Sequence, residues 1–178
     1  MKITIGIDNG TTGTVAIVGG ALTYYGPVPV KDTVSHVKSK GFAKRIDRAA
    51  LFSLLHQHCI GPAIPAGVDI RVYVEAPFTM PIASEAVLLG HRAFEAILCV
   101  FEDLAIPVET CMPRDWQTTQ LGAAGTLPIK NVRGVAKADT KKASLLKGIA
   151  LYPQLESVIR KHGDADGLLI AHHYHKKR

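Results

Sequence analysis

The strongest constraint on the fold lies in the first 25 residues. Ile3, Ile5 and Ile7 alternate with Lys2, Thr4 and Gly6, the period of two that a half-buried strand requires. Asn9-Gly10-Thr11-Thr12-Gly13 follows, and Asn and Gly tolerate the positive φ of a tight turn. Residues 14–18 resume as a second strand, Gly19-Gly20 turns again, and residues 22–25 open a third. The chain therefore begins as an antiparallel meander, and every later element must be fitted to it.

Residues 31–48 set Lys31, Lys38, Lys40, Lys44, Arg45 and Arg48 against Asp32 and Asp47 and read mostly as loop. Asp47 is placed to cap a helix carrying Leu51, Leu54, Leu55 and His58 at spacings of three and four. Gly61-Pro62 and Pro65-Ala66-Gly67 end it, and the β-branched run 70–76, closed by Pro77, predicts a buried strand. Residues 84–104 form the longest helical segment. Its charges, Glu85, Arg92, Glu95, Glu102 and Asp103, make one narrow stripe, so both flanks should be covered. A sheet would cover one side, and a second subunit or a neighbouring helix of the same chain the other. Residues 106–112 predict a further strand, Pro113-Arg114-Asp115-Trp116 a helical turn, and 122–128 a loop. Asp139 or Thr140 can cap a helix through Leu145, Leu146 and Ile149 that stops at Pro153, and a last helix begins near Asp164. With no internal repeat and no linker, residues 1–178 read as one domain. The order β-β-β-α-β-α-β, then helices, predicts an α/β fold. Its five-stranded mixed sheet would combine the three-strand antiparallel meander with two parallel strands, flanked by helices.

Composition narrows the class of partner. Hydrophobic residues make up 47% of the 178 and charged residues 20%, a balance suited to a folded core. Lys and Arg number 21 against 15 acids, a net charge of +6, which suits an anionic partner such as nucleic acid. Cys59, Cys99 and Cys111 are odd in number and lack metal-ligand spacing, which favours a reducing, cytoplasmic compartment over a disulfide scaffold. Asp8 interrupts the N-terminal apolar run too early for a signal peptide. No segment approaches the roughly 18 apolar residues of a membrane span.

Three acids stand out against this map. Asp8 ends the first strand, Glu75 ends the fourth, and Asp166 opens the final helix. Each has a bland reading: turn former, strand-end surface residue, helix-terminal charge. If the two strands are neighbours, however, both carboxylates leave the sheet at one edge, where the last helix can cross. Separated carboxylates converging in this way suit a hard divalent cation such as Mg²⁺.

Ile5-Gly6-Ile7-Asp8-Asn9-Gly10, Val72-Tyr73-Val74-Glu75, Met112-Pro113-Arg114-Asp115-Trp116 and Ala165-Asp166-Gly167-Leu168-Leu169-Ile170-Ala171, taken together and in order, resemble the RuvC-type Holliday junction resolvases, most closely their compact, phage-like branch. The resemblance spans almost the whole chain. It implies an RNase H-like fold, a homodimer, for which the narrow charge stripe makes the helix 84–104 the expected interface, and divalent-metal-dependent cleavage of phosphodiesters at four-way DNA junctions. Asp8, Glu75 and Asp166 match the first, second and last acids of the family's tetrad. The remaining position falls in Lys161-His162-Gly163-Asp164-Ala165-Asp166, where Gly163 offers no side chain. Positions four apart share a helix face, so His162 is favoured to aim with Asp166 if the helical turn begins that early. Asp164 then reads as a cap, though it stays open as the alternative.

The chemistry requires a water made nucleophilic at neutral pH and a neutralised leaving oxygen. Two metals about 4 Å apart supply both in an in-line displacement. Two Mg²⁺ or Mn²⁺ ions are therefore expected, bridged by Asp8, with Glu75 on one and His162 and Asp166 on the other. An imidazole ligand must be neutral, so His162 should make activity fall on acidification and should favour Mn²⁺.

Between residues 116 and 155 the cations Lys130, Arg133, Lys137, Lys141, Lys142 and Lys147 face a single acid, Asp139. That run can be a solvated face. Beside a site for phosphate chemistry it becomes a DNA-backbone surface, with Lys130, Arg133, Lys137, Lys141 and Lys142 the expected contacts. Trp116 is expected in the core, and His172, His173 and His175 in a solvated basic tail. Two other functions stay open. Residues 6–13 also resemble the phosphate hairpin of actin-like sugar kinases, which clasp ATP between two lobes, and the departure at Gly163 leaves room for an inactive branched-DNA-binding module.

Overall fold

The computed structural model describes residues 1–35, 41–58, 60, 67–77, 85–123, 127–132 and 135–177. The N-terminal meander forms as β1 (Lys2–Ile7), β2 (Thr14–Gly19) and β3 (Leu22–Pro27). A hairpin of β4 (Val30–Val34) and β5 (Phe42–Ile46) follows, then α1 (Arg48–Gln57), whose first turn is capped by Asp47 through the Ala50 N–H at 3.2 Å. Next come β6 (Asp69–Glu75), α2 (Glu85–Asp103), β7 (Val108–Cys111) and α3 (Pro113–Leu121). A second hairpin, β8 (Ile129–Val132) with β9 (Val135–Ala138), leads into α4 (Thr140–Leu151), α5 (Glu156–His162) and α6 (Asp166–Lys176).

The main sheet has five strands in the order β3-β2-β1-β6-β7, antiparallel on the meander side and parallel from β1 through β6 to β7. This is the mixed sheet that the element order requires. Side-chain parity divides it. Ile3, Ile5, Ile7, Val72 and Val74 face a core shared with α1 and α2, through Leu51, Leu55, Ile97 and Phe101. The opposite face, with Ala16, Val18 and Tyr73, packs against α6, Trp116 of α3 and Ile159 of α5. Gly6 lies on this second face, where an added Cβ would collide with backbone atoms of Gly167 and Ala171. Glycine is what lets α6 lie directly on β1.

Three expectations change. Residues 31–48, read as loop, hold most of a two-stranded hairpin in which Val30 pairs with Ile46 and Val34 with Phe42. Basic residues between the apolar ones hide its alternation. The second hairpin likewise occupies a stretch assigned no element. The C-terminal histidines are not a solvated tail, because α6 continues to Lys176 and docks on β1. His173 is 4% exposed, His172 Nδ1 lies 2.8 Å from the Tyr152 hydroxyl, and His175 Nδ1 lies 3.1 Å from Thr4 Oγ1. Lys2 Nζ donates to the carbonyls of Tyr174, His175 and Lys177 at 2.8–3.1 Å, placing a cation at the helix C-terminus, where the dipole favours it. Among the described residues no helix is long and apolar enough to cross a membrane. Cys59, Arg133, Arg178 and the expected stop at 61–66 lie outside the described residues.

Candidate functional site

Strand register brings the first two acids together. Ile7 pairs with Val74 across the parallel β1–β6 ladder, so Asp8 and Glu75 are the next residues along at the same sheet edge. By parity Asp8 follows Gly6 and Glu75 follows Tyr73, so both belong to the face that α6 covers. The N-terminus of α6 reaches this edge because Gly167 fits against Thr14, donating its N–H to Thr14 Oγ1 at 3.0 Å. Asp166 is the first residue of α6 and arrives beside Asp8. One carboxylate oxygen from each of Asp8, Asp164 and Asp166 lies within 4.8 Å of the other two.

The carboxyl groups at this edge are mutually perturbed. Burial raises the Asp8 carboxyl well above the usual carboxylate range, and the charges of Asp166, Glu75 and Asp164 push it the same way. Burial followed by the Asp166 charge pushes Glu75 up to about 7, although a hydrogen bond from Trp116 opposes the rise. Asp166 is pushed up to about 6 by burial, with a Ser144 hydrogen bond and Lys141 pulling it down and Asp164 pushing it up. Packing several carboxylates into one partly buried cleft disfavours their ionisation, and a bound divalent cation reverses that. Lys141 Nζ, 2.9 Å from Asp164 Oδ2, supplies part of the missing charge. The donor set, all carboxylate oxygen, fits Mg²⁺ or Mn²⁺.

The site is braced from several elements. Trp116, fully buried on α3, donates its Nε1–H to Glu75 Oε2 at 3.2 Å. α3 is fixed at its start by Pro113 in the first turn and by Asp115, whose Oδ2 accepts the Met112 N–H at 3.0 Å. Ser144 on α4 accepts the Ala165 N–H at 3.0 Å, and the Tyr25 hydroxyl donates to the Asp164 carbonyl at 2.6 Å. Trp116 was expected in the core and is there; its bond to Glu75, and the parts played by Ser144, Thr14 and Tyr25, carry no local sequence signal. These residues meet only through the tertiary fold.

His162 and Asp164 are placed differently from the helix-face argument. α5 ends at His162, Gly163 adopts φ 100°, and α6 starts at Asp166. Residues 162 and 166 therefore do not share a helix, and the spacing of four does not align them. Asp164, 2% exposed, contributes its carboxylate to the cluster, and His162 Nε2 stands 3.7 Å from Asp164 Oδ1. As a cap Asp164 is weak, with its Oδ1 3.5 Å from the Asp166 N–H. Of the expected DNA contacts, Lys141 is turned into the site, Lys142 is exposed on the first turn of α4, and Lys130 and Lys137 face each other across the β8–β9 hairpin. α2 buries Ala93, Ile97, Val100 and Phe101 against the sheet and leaves Leu88 52% exposed.

This five-stranded mixed sheet flanked by helices is the fold seen in Thermus thermophilus RuvC. The structure of Thermus thermophilus RuvC in complex with a Holliday junction substrate superimposes with a TM-score of 0.53 at 16% identity, covering 95% of this chain and 90% of that one. Thermus thermophilus RuvC in a second structure aligns over the same shares at 16% identity with a TM-score of 0.46. No protein-family model and no curated protein matches the sequence.

Proposed function

We propose that this chain is a structure-selective endonuclease that cuts branched DNA, four-way junctions foremost, by metal-dependent phosphodiester hydrolysis. The observation that carries the reading is the meeting of Asp8, Asp164 and Asp166 within 4.8 Å at the edge where Glu75 also ends, on a RuvC-type fold. Asp8, Asp166 and Glu75 would hold the cations, with Asp164 as the fourth group and His162 behind it as the alternative. Bound Mg²⁺ or Mn²⁺ would supply Lewis-acid activation of water and neutralise the charge on the leaving oxygen. The chain's own contribution is orientation. Trp116 fixes the Glu75 carboxylate, Ser144 holds the start of α6, and Lys141 anchors the Asp164 carboxylate through a 2.9 Å contact to Oδ2. Lys130, Lys137 and Lys142, with Arg133, would follow the DNA backbone, and a homodimer through α2 would present two such sites to a symmetric junction.

The test is incubation with a labelled four-way junction, a flap and a linear duplex in Mg²⁺ or Mn²⁺. Paired symmetric incisions confined to the junction are expected, abolished in Glu75→Gln while junction binding persists. Tight ATP binding with no cutting of any DNA would replace the reading with that of a nucleotide-clasping protein. Binding without cutting in either metal would reduce it to a branched-DNA-binding module.

A further inference from the structure

The β4–β5 hairpin and the first half of α2 enclose a groove that none of the DNA contacts assigned above uses. It comprises adjoining cavities of about 300 and 100 Å³, and Arg45, Leu89 and Arg92 line both, so the space is continuous. Lys44 lines the smaller part and Glu85 the larger. Arg45 is held in place by a 3.1 Å hydrogen bond from its Nε to Thr33 Oγ1 on the neighbouring strand. Among the described residues, the side chains of Lys44 and Arg92 have no ion-pair or hydrogen-bond partner, although Asp32 stands opposite Lys44 in the hairpin register. Three cations and one carboxylate, Glu85, which is itself partnered, therefore line a concave surface.

The groove is joined to the acid cluster. Thr11, in the turn between β1 and β2 and three residues beyond Asp8, lines its smaller end. The same turn is tied to α2 by Asn9, whose Nδ2 donates to the Gly90 carbonyl at 3.1 Å, two residues before Arg92. The groove therefore opens beside the turn that follows Asp8, on the α2 side of the sheet, while the Asp8 carboxylate lies on the α6 side. Converging Arg and Lys side chains of this kind suit phosphate oxygens, with Arg offering a planar fork and Lys a point charge.

We propose that the groove between β4–β5 and α2 holds the sugar–phosphate backbone of the DNA strand next to the cleavage site, with Lys44, Arg45 and Arg92 as its contacts. The proposal rests on the endonuclease reading and adds to it a second DNA surface, on the α2 face of the sheet rather than the face that α4 packs against. This surface resides in a hairpin that its own charges conceal in the sequence.

The test is fluorescence anisotropy of a labelled four-way junction with Ca²⁺ in place of Mg²⁺, repeated across salt concentrations. Lys44→Gln combined with Arg92→Gln removes two cations without touching a core residue, and Arg45 stays to hold the hairpin. Each phosphate contact contributes about 0.9 to the slope of log affinity against log salt, so the slope should fall by about 2 and affinity at physiological salt by about tenfold or more. Lys44→Arg with Arg92→Lys keeps both charges and should restore the wild-type slope. An unchanged slope in the Gln pair, with wild-type protein still cutting junctions, overturns the groove and leaves the nuclease reading standing. So does failure of the charge-conserving pair to restore the slope, which would make the effect one of shape. An unchanged slope accompanied by a shift in sedimentation from dimer to monomer would reassign the groove to a subunit contact. If wild-type protein neither cuts nor shows salt-dependent binding to any DNA, the nuclease reading falls and takes the groove with it.

Discussion

Replacing Glu75 with Gln should abolish cleavage and yet make the metal-free protein more stable at alkaline pH. Glu75 is displaced from its ordinary 4.5 to about 7, chiefly by burial and then by the charge of Asp166. Its folded form therefore binds a proton more tightly than its unfolded form. The stability this proton contributes is fully present below about pH 4.5 and is lost as pH rises through about 7. Fully expressed, the displacement corresponds to roughly 3 kcal/mol. Because Asp8 and Asp166 share the same repulsion, about 2–3 kcal/mol is the expected relief at pH 8. Gln keeps an oxygen to accept the Trp116 N–H at the position Oε2 now holds, so the packing should survive. For a chain of 178 residues each kcal/mol moves Tm by about 2–4 °C. Calorimetric or circular-dichroism melts in EDTA should therefore show Glu75→Gln melting about 4–12 °C higher at pH 8 and close to wild type at pH 4. Adding Mg²⁺ should raise the wild-type Tm more than that of the variant and narrow the gap. A variant no more stable than wild type at pH 8, or one whose gain persists undiminished at pH 4, would refute the claim that Glu75 sits in a cleft of mutually repelling acids.

Gly6→Ala should destabilise the fold by about 3 kcal/mol or more, because a Cβ there meets backbone atoms of Gly167 and Ala171 that cannot yield without lifting α6 from β1; a urea midpoint within error of wild type would contradict that close approach. Trp116→Phe removes the one described hydrogen bond to Glu75 Oε2 and should cost about 1–3 kcal/mol. Because that bond lowers the Glu75 pKa, its loss should also move the acid limb of the pH–rate profile upward; an unmoved limb would show that Trp116 only fills space. Asp164→Asn should weaken Mn²⁺ binding by more than tenfold in calorimetric titration, and His162→Ala by no more than a few-fold, since only the first removes an oxygen from the cluster within 4.8 Å; the reverse ranking would make the imidazole the ligand. Lys141→Met strips Asp164 Oδ2 of its 2.9 Å partner and should lower Tm at pH 8 more than at pH 4, where protonated acids repel less; an equal loss at both pH values would reduce Lys141 to a packing role.

Those features that depend on short-range periodicity were legible in the sequence. The alternation of Ile3, Ile5 and Ile7 determines which face β1 buries, and Asp8, one step beyond, inherits the opposite face from Gly6. The same parity carries from Tyr73 to Glu75; the sequence placed these two acids, 67 positions apart, at strand ends that share an edge if the strands are neighbours, and the β1–β6 ladder supplies that condition. The two hairpins were not legible for the converse reason. In β4 and β5 the apolar Val30, Val34, Phe42 and Ile46 are separated by Lys31, Asp32, Lys44 and Arg45, and Val34 and Phe42 are more than 70% exposed. Only Ile46, 5% exposed, and its partner Val30 reach the core, so the rest of the hairpin has no buried face to impose a pattern on its residues. The histidines of α6 misled differently: Tyr73 stacks on Tyr174 with ring centres 3.8 Å apart, and nothing in a basic C-terminal run shows that an aromatic on a distant strand is waiting for it.

The choice between His162 and Asp164 shows where helix periodicity fails and a capping signal takes over. A spacing of four aligns two side chains only along one uninterrupted helix, and Arg160-Lys161-His162-Gly163 has the composition of a helix end: cations in the last turn, then glycine. Gly163 takes φ 100° and donates its N–H to the Ile159 carbonyl at 2.9 Å, stopping α5. The chain then turns through Asp164 and Ala165 before α6 begins, and in that turn residues 164 and 166 need not diverge as they would on a helix. Both can therefore face Asp8, which a continuous helix would have prevented. Substituting Ala at Gly163 strains this stop. It should weaken cation binding without removing a single ligand, because the spacing of the Asp164 and Asp166 carboxylates depends on where α5 ends. Cation affinity equal to wild type in Gly163→Ala would mean that the interhelical turn does not set that spacing.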